Sequence, residues 1–340
     1  MPPDQLSLSP RYIAPLALLW PLLSMLRGIL LKIASVFVFT VMSALVKHAA
    51  RSFPVGEVVF ARSFFALPVI LGWLAWQGKF PAGLSTARLG GHVLRGVVSA
   101  GGMIFGFWGL SLLPLPDATA IGFAVPLIVV ALAALVLHER VRVYRWSAVA
   151  VGFAGVLIML WEHLGDAAPG AAQASPFGDM VALTAAVFAA LATIQTRRLT
   201  RTEGTGAIVF YLSLMTTLFG AASLFLPALA PILSPRLAAQ AWAAPGWRET
   251  ALLGLIGLLG GLGQLLLTGA ARLTDASVIA PLDYMSLIWA LAFGALFFDE
   301  RASALVLAGA VLVIGAGIFV IWREHRLGLL RREVVVTERL

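Results

Sequence analysis

The chain has 340 residues, 60% of them hydrophobic and only 12% charged, with a mean hydropathy of +0.95. A soluble domain carries about 25% charged residues, so lipid must solvate most of this surface, which excludes an ordinary soluble enzyme, a disordered chain and a disulfide-rich secreted domain. The net charge of +8 does not point to nucleic acid, because the basic residues sit in short runs between apolar segments; with no cysteine, thiolate metal and cluster sites are excluded too.

A helix needs about 20 apolar residues to cross the hydrocarbon, and continuous rather than alternating apolar runs mean helices. Residues 12–25 come first, an apolar stretch broken by Pro15 and Pro21 that reads as an interfacial segment or as sequence upstream of a start at Met25. Ten spans follow: 27–46, 56–76, 92–113, 117–137 and 144–162, then 178–197, 205–230, 249–270, 275–297 and 303–322. The turns from Leu113 to Asp117 and from Phe298 to Ala302 are short, so their flanking helices run antiparallel. The chain therefore divides into an extension at 1–26, a five-helix unit at 27–162, a linker at 163–177, a second five-helix unit at 178–322 and a tail at 323–340.

Seventeen Lys and Arg residues fall on the side of the termini and the even-numbered connections, five fall on the other side, and Lys32 and Arg62 lie within spans. The positive-inside rule then puts both termini in the cytoplasm. Arg makes up 21 of the 24 basic residues and, with abundant Ala, Gly and Leu, fits a GC-rich bacterial genome and hence a bacterial inner membrane.

The two units match. Gly96 pairs with Gly254, Gly101–Gly102 with Gly260–Gly261, Asp117–Ala118 with Asp275–Ala276 and Ile121 with Ile279, and each unit's fourth span ends in Glu-Arg, at Glu139–Arg140 and Glu300–Arg301. Five spans is an odd number, so the second copy is inserted upside down. The expected fold is all-α and integral to the membrane, with ten helices as two inverted five-helix repeats. Such repeats place a substrate site near the bilayer midplane, where the halves meet.

Asp283 lies eight residues after Asp275, about 12 Å along a helix. An acid at that depth marks a pathway, a proton relay or a buried pair; the alternative is a structural acid satisfied by neighbours. Pro281 and Pro126 free backbone carbonyls and are candidate hinges. Gly102 and Gly261 allow close helix approach and could slide. Arg62 could contact Asp283 or a substrate carboxylate, or could simply tie carbonyls together. Tyr284, Trp289, Trp108, Phe105 and Tyr211 could wall a pocket for an apolar or aromatic substrate, against a reading as packing. The side-chain amide of Gln264 could meet a substrate's amino or carboxyl group or instead form an interhelical hydrogen bond, and Ser43 could add a hydroxyl. Asp117 and Asp275 read as helix caps, and Glu139 and Glu300 as partners of Arg at hairpin turns. The five histidines lie near span ends without metal-ligand spacing.

The opening RGILLKIASVFVFTVMSALVK from Arg27, FARSF around Arg62, the DA-x-x-I starts of spans four and nine, the Glu-Arg ends and APLDYMSLIW from Ala280 together resemble the drug/metabolite transporter superfamily in its EamA-type branch. The resemblance implies a basket of ten helices around a central cavity that opens alternately to each side, with spans five and ten peripheral. It implies a carrier of small molecules; YddG-type aromatic amino-acid exporters are a similar characterised group.

The expected function is a secondary-active exporter of amino acids, aromatic or otherwise apolar, across the inner membrane. Uptake or exchange of another metabolite is the alternative, and a membrane-embedded enzyme or a channel is more remote. No Walker-type loop is present, so a substrate gradient or protons supply the drive. The expected partners are the small-molecule substrate and the lipid bilayer; no nucleic acid, cofactor or metal is expected, and the protein is expected to be a monomer.

Overall fold

The computed structural model describes residues 10–136, 143–164, 176–200, 202–229, 241–274 and 280–337. Asp275, Ala276, Ile279, Glu139 and Arg140 lie outside the described residues. All regular structure among the described residues is helical. Seven helices are long and apolar enough to span a membrane, and three shorter apolar ones (Trp146–Trp161, Leu282–Phe297 and Ala304–Val320) complete the expected set.

Span one is the upper part of α1 (Pro10–Ala49), which runs without interruption through the 12–25 stretch. Span two is two pieces, α2 (Val55–Phe64) and α3 (Ala66–Trp76), joined at Phe65. The break follows from Pro68, which has no N–H for the Phe64 carbonyl and crowds it. Span three is α4 (Leu89–Leu112). Span four repeats the device of span two: α5 (Leu115–Gly122) stops four residues before Pro126, and α6 (Val125–Val136) restarts with Pro126 in its first turn, where a missing N–H costs nothing. Span five is α7 (Val143–Leu164).

The second half continues with α8 (Pro176–Leu199), α9 (Thr205–Ala222) and its 3-10 extension Ser223–Leu229, and α10 (Trp247–Leu273). Glu249 starts α10 by accepting the Gly246 N–H at 2.5 Å. Span nine contains a 3-10 turn, Ala280–Tyr284, followed by α11 (Met285–Phe297). Asp299 turns the chain with φ 54°, and α12 (Ala304–Thr337) begins where Ser303 Oγ accepts the Val306 N–H at 3.1 Å, an N-cap.

Helix pairing obeys a two-fold exchange of the halves. α1 packs on α10 as α8 packs on α4. The pairs α2 with α9, α5 with α11, and α7 with α12 are each mapped onto themselves. The α7–α12 contact is backbone to backbone: a Cβ at Gly155 would lie 2.7 Å from the Gly309 carbonyl oxygen, and one at Gly309 would lie 2.5 Å from that of Gly155. Spans five and ten thus fasten to each other at the rim. Large apolar side chains such as Leu296, Phe297, Val311 and Trp161 stay exposed, the surface that lipid would cover.

Candidate functional site

A cavity of about 400 Å³ lies between the halves, walled by α1, α4, α5 and α8 and by the Asp283 turn with the start of α11. On α1 its lining is Lys32, Ser35, Val36, Phe39, Thr40 and Ser43. On α8 it is Ala182, Ala185, Ala186 and Ala189. The four alanines stand 150 residues after Lys32, Ser35, Val36 and Phe39, so the two repeats present the same helix face to the same space.

Lys32 Nζ lies 2.6 Å from Asp283 Oδ1. These are the only charged side chains among the described lining residues. The Lys32 side chain is 6% exposed, whereas that of Asp283 is 55% exposed. Four lining hydroxyls bond to carbonyls: Ser35 to Gly263 at 3.0 Å, Thr40 to Val36 at 2.8 Å, Thr119 to Leu115 at 2.7 Å and Ser286 to Asp283 at 2.7 Å. Apart from Ser43 the rest of the wall is apolar, with Phe39, Met103, Phe107 and Leu110 the bulkiest members.

The end of α1 that carries Lys47 is sealed. Lys47 Nζ lies 2.9 Å from Glu300 Oε1, and both side chains are about 10% exposed. Lys47 also donates to the Leu110 carbonyl at 3.2 Å and to that of Leu113, while Glu300 Oε2 accepts the Leu115 N–H at 2.8 Å. One buried ion pair thus joins α1, the α4–α5 turn and the α11–α12 turn. Beyond it lies a second hollow of about 250 Å³, lined by Arg51, Ser111 and Pro114 among others. Leu110, Phe107 and Ser43 line the cavity on the near side of the seal. Glu300 therefore pairs with Lys47 of the first span, not with an arginine of its own turn, because α1 stays helical to Ala49 and carries Lys47 inward.

At the opposite end a polar cluster ties α4 to α8 and α9. Arg95 donates to Thr196 Oγ1 and to the Ile208 carbonyl, each at 2.8 Å, and is buried inside α4 and not in a connection. His92 Nε2 lies 3.5 Å from Glu203 Oε2, and Glu203 Oε1 accepts the Ala87 N–H at 3.3 Å. Hydrogen bonds from Thr86, His92 and the Ala87 N–H hold the Glu203 carboxyl below the usual carboxylate range, the Thr86 hydroxyl contributing most.

Of the residues expected at the site, Asp283, Ser43 and Gly102 line the cavity. The others are dispersed. Arg62 does not meet Asp283: it is buried in α2 against Gly260, where a Cβ would come within 2.8 Å of its Nε, an atom with no hydrogen-bond partner among the described residues. Lys32 takes Asp283 because it enters from the same end of the bundle on an adjacent helix. Tyr284 turns away from its neighbour Asp283, packing on Phe123 at 5.1 Å with its hydroxyl against Gly317 of α12. Trp289 packs on Phe37 at 5.1 Å, outside the cavity lining, and its indole N–H is unbonded among the described residues. Phe105 stacks on Phe188 at 5.6 Å in the α4–α8 contact, and Trp108 packs on Phe177. Tyr211 faces His92 at 4.8 Å in the polar cluster. Gln264 lies on α10 one turn before the lining residue Leu267. Pro126 stands next to the lining residue Val125, and Pro281 lies in the turn that carries Asp283, each at an interruption of its span; Gly261 packs on Ala66 of α3. Sequence reading passed over Lys32 and Ser35; for Lys32 the signal was available, a basic residue well inside a span.

The family model for the EamA-like transporter family matches residues 26–161 and again 176–323, once in each half. The chain is 29% identical to an S-adenosylmethionine uptake transporter of Rickettsia prowazekii, covering 88% of this chain and 94% of that one. It is 32% identical to the transporter of the same description from Rickettsia bellii, over 79% and 84%. It is 31% identical to a pseudopaline exporter of Pseudomonas aeruginosa, over 85% and 94%. A crystal structure 18% identical in sequence superimposes with a TM-score of 0.58 over 88% of this chain and 98% of its own, a likeness of fold alone.

Proposed function

The chain belongs to the EamA-like transporter family, a membrane transporter and not an enzyme, and from that premise we propose that it is a secondary-active carrier of small organic metabolites of amino-acid type, working by alternating access. The observation that carries this reading is a cavity between the repeats that holds one ion pair at its entrance, while a second ion pair closes its far end. The apolar wall around Phe39, Met103 and Phe107 suits a cargo with an apolar portion. Export across a bacterial inner membrane, with both termini cytoplasmic, is the direction we favour: the charge distribution supports a topology in which the half-exposed Asp283 faces the cytoplasm, where an exported substrate would load. Uptake is the second reading, favoured by the uptake activity of the Rickettsia relatives. Gly102, Gly261 and the helix interruptions at Pro126 and Pro281 supply the points at which the halves would rock. Protons remain a candidate drive, with Asp283 as the carrier of the proton.

Counterflow in proteoliposomes, run against amino acids and S-adenosylmethionine, tests the reading. Saturable exchange of an amino-acid-type compound is expected, and silence across the set would sink it. Accumulation into inside-out membrane vesicles separates export from uptake. If an imposed pH gradient stimulates wild-type exchange and Asp283→Asn equally, Asp283 is not the proton relay.

A further inference from the structure

The central cavity offers one strong polar handle, the pair Lys32–Asp283, because four of the lining hydroxyls are already engaged by backbone carbonyls. Its two members are unequally placed. The Asp283 carboxylate is half exposed, and the Lys32 ammonium lies behind it, almost wholly buried. We infer that this ion pair is the docking element for the cargo and that it restricts transport to zwitterions: the cationic group of the cargo takes Asp283, its carboxylate takes Lys32, and the internal pair opens to admit both. The inference rests on the carrier reading above and names the substrate class of the same site.

The argument is one of charge balance during reorientation. A carrier that passes its site from one side to the other holds it for a time away from water, where a charge persists only if paired. The empty site is neutral by itself, Lys32 against Asp283. A zwitterion leaves it neutral again, with two pairs in place of one. A monoanion takes Lys32 and strands Asp283; a monocation takes Asp283 and strands Lys32. Either ligand can bind the open site, but the loaded site then carries an unpaired charge into the low dielectric and is held where it is. Ligands with a single charge are therefore inhibitors and not cargo. The flexible stem of Lys32 lets its ammonium swing from Asp283 to a neighbouring carboxylate without movement of α1. Empty and loaded sites carry the same net charge, so exchange is indifferent to membrane potential.

Matched sets test this: phenylalanine with phenethylamine and 3-phenylpropionate, and methionine with its decarboxylated amine and its deaminated acid. In proteoliposome counterflow the wild type is expected to exchange a zwitterion at least tenfold faster than its amine or acid, while both inhibit. Asp283→Asn is expected to exchange the acid, and Lys32→Met the amine, because each then forms a neutral loaded site. Wild-type exchange of the amine or acid as fast as the zwitterion, or an unchanged order of preference in both variants, would overturn the inference and leave the carrier reading standing. No exchange of any member by folded wild type would overturn both. Should a single variant fail to melt cooperatively in detergent, the reversed pair Lys32→Asp with Asp283→Lys restores the neutral site. That double variant is expected to keep the zwitterion preference, and losing it would count against the inference.

Discussion

The Lys47–Glu300 pair makes the sharpest mechanical prediction. If it closes the far end of the cavity, weakening it must raise the population of molecules open at that end. Glu300→Gln keeps an acceptor for the Leu115 N–H and removes the charge opposite Lys47. The lost interaction is a charge-assisted hydrogen bond between two nearly buried groups, about 1.5–3 kcal/mol. Lys47 retains its two carbonyl acceptors, Leu110 and Leu113, so the full cost of orphaning a buried charge does not apply. At about 1.4 kcal/mol per factor of ten, the far-end-open population should rise roughly 10- to 150-fold. The chain has no cysteine, so a single reporter thiol needs no background correction. Ser43→Cys places it on the cavity side of the seal and Ser111→Cys in the outer hollow. A membrane-impermeant maleimide added from the side opposite the termini should label the Ser43→Cys protein at least tenfold faster when Glu300→Gln is present. Labelling of Ser111→Cys should not change. Equal rates for Ser43→Cys with and without Glu300→Gln would refute the assignment of the pair as the seal.

Three further outcomes follow from the same geometry. Gly106 lines the cavity with its nearest neighbour, the Ala185 Cβ, 3.9 Å from where a Cβ would stand; Gly106→Ala should transport, and Gly106→Phe should melt like wild type yet lose counterflow. Gly309→Leu would drive a side chain into the Gly155 carbonyl and should cost about 1–3 kcal/mol by overpacking, read as a lower melting temperature in detergent. Glu203, whose carboxyl is held below its ordinary range, contributes stability that is present above the unfolded pKa of a glutamate and is lost as the pH falls through its folded value. Melting temperature should therefore fall more steeply on acidification for wild type than for Glu203→Gln, and parallel curves would count against the Thr86–Ala87–Glu203 tie.

What the sequence disclosed was whatever depends on local chemistry. Pro126 marks an interrupted helix because a missing N–H acts on the carbonyl four residues back, wherever the helix lies; Pro68 does the same in span two, a break that the reading of 56–76 as one span passed over. The repeat was legible because duplication preserves order, and the observed pairing of α1 with α10 and α8 with α4 obeys it. Partners of the buried charges were not legible. Depth along a helix can be counted, and Arg62 and Asp283 are of compatible depth, but rotation about the axis decides contact, and it puts Arg62 on Gly260 and Lys32 on Asp283. Lys47 read as a loop charge because it stands one residue past the counted end of its span, whereas α1 continues to Ala49. The aromatics failed for a different reason. In a soluble helix an apolar face points to the core, but here lipid and core are equally apolar, so nothing in sequence separates Tyr284 against α12 or Phe105 against Phe188 from a residue lining the cavity.

The two repeats share a register but not a chemistry. The same helix face enters the cavity from α1 and from α8, yet it reads Lys32, Ser35, Val36 and Phe39 on one side and Ala182, Ala185, Ala186 and Ala189 on the other. Under the alternating access proposed above, two-fold symmetry of the backbone would let the halves exchange roles as the cavity changes sides. Two-fold symmetry of the side chains would present two equal half-sites, each competing for one cargo. Reducing one copy to alanine removes the competitor and empties the space that the cargo needs. It also gives the site a direction, with Lys32 and Asp283 on one flank and a smooth wall opposite. Restoring bulk at Ala186 should then abolish exchange without loosening the fold, as Gly106→Phe should. Restoring charge at Ala182, the counterpart of Lys32, by Ala182→Lys would instead unbalance a site proposed to move only when neutral, and zwitterion counterflow should fall.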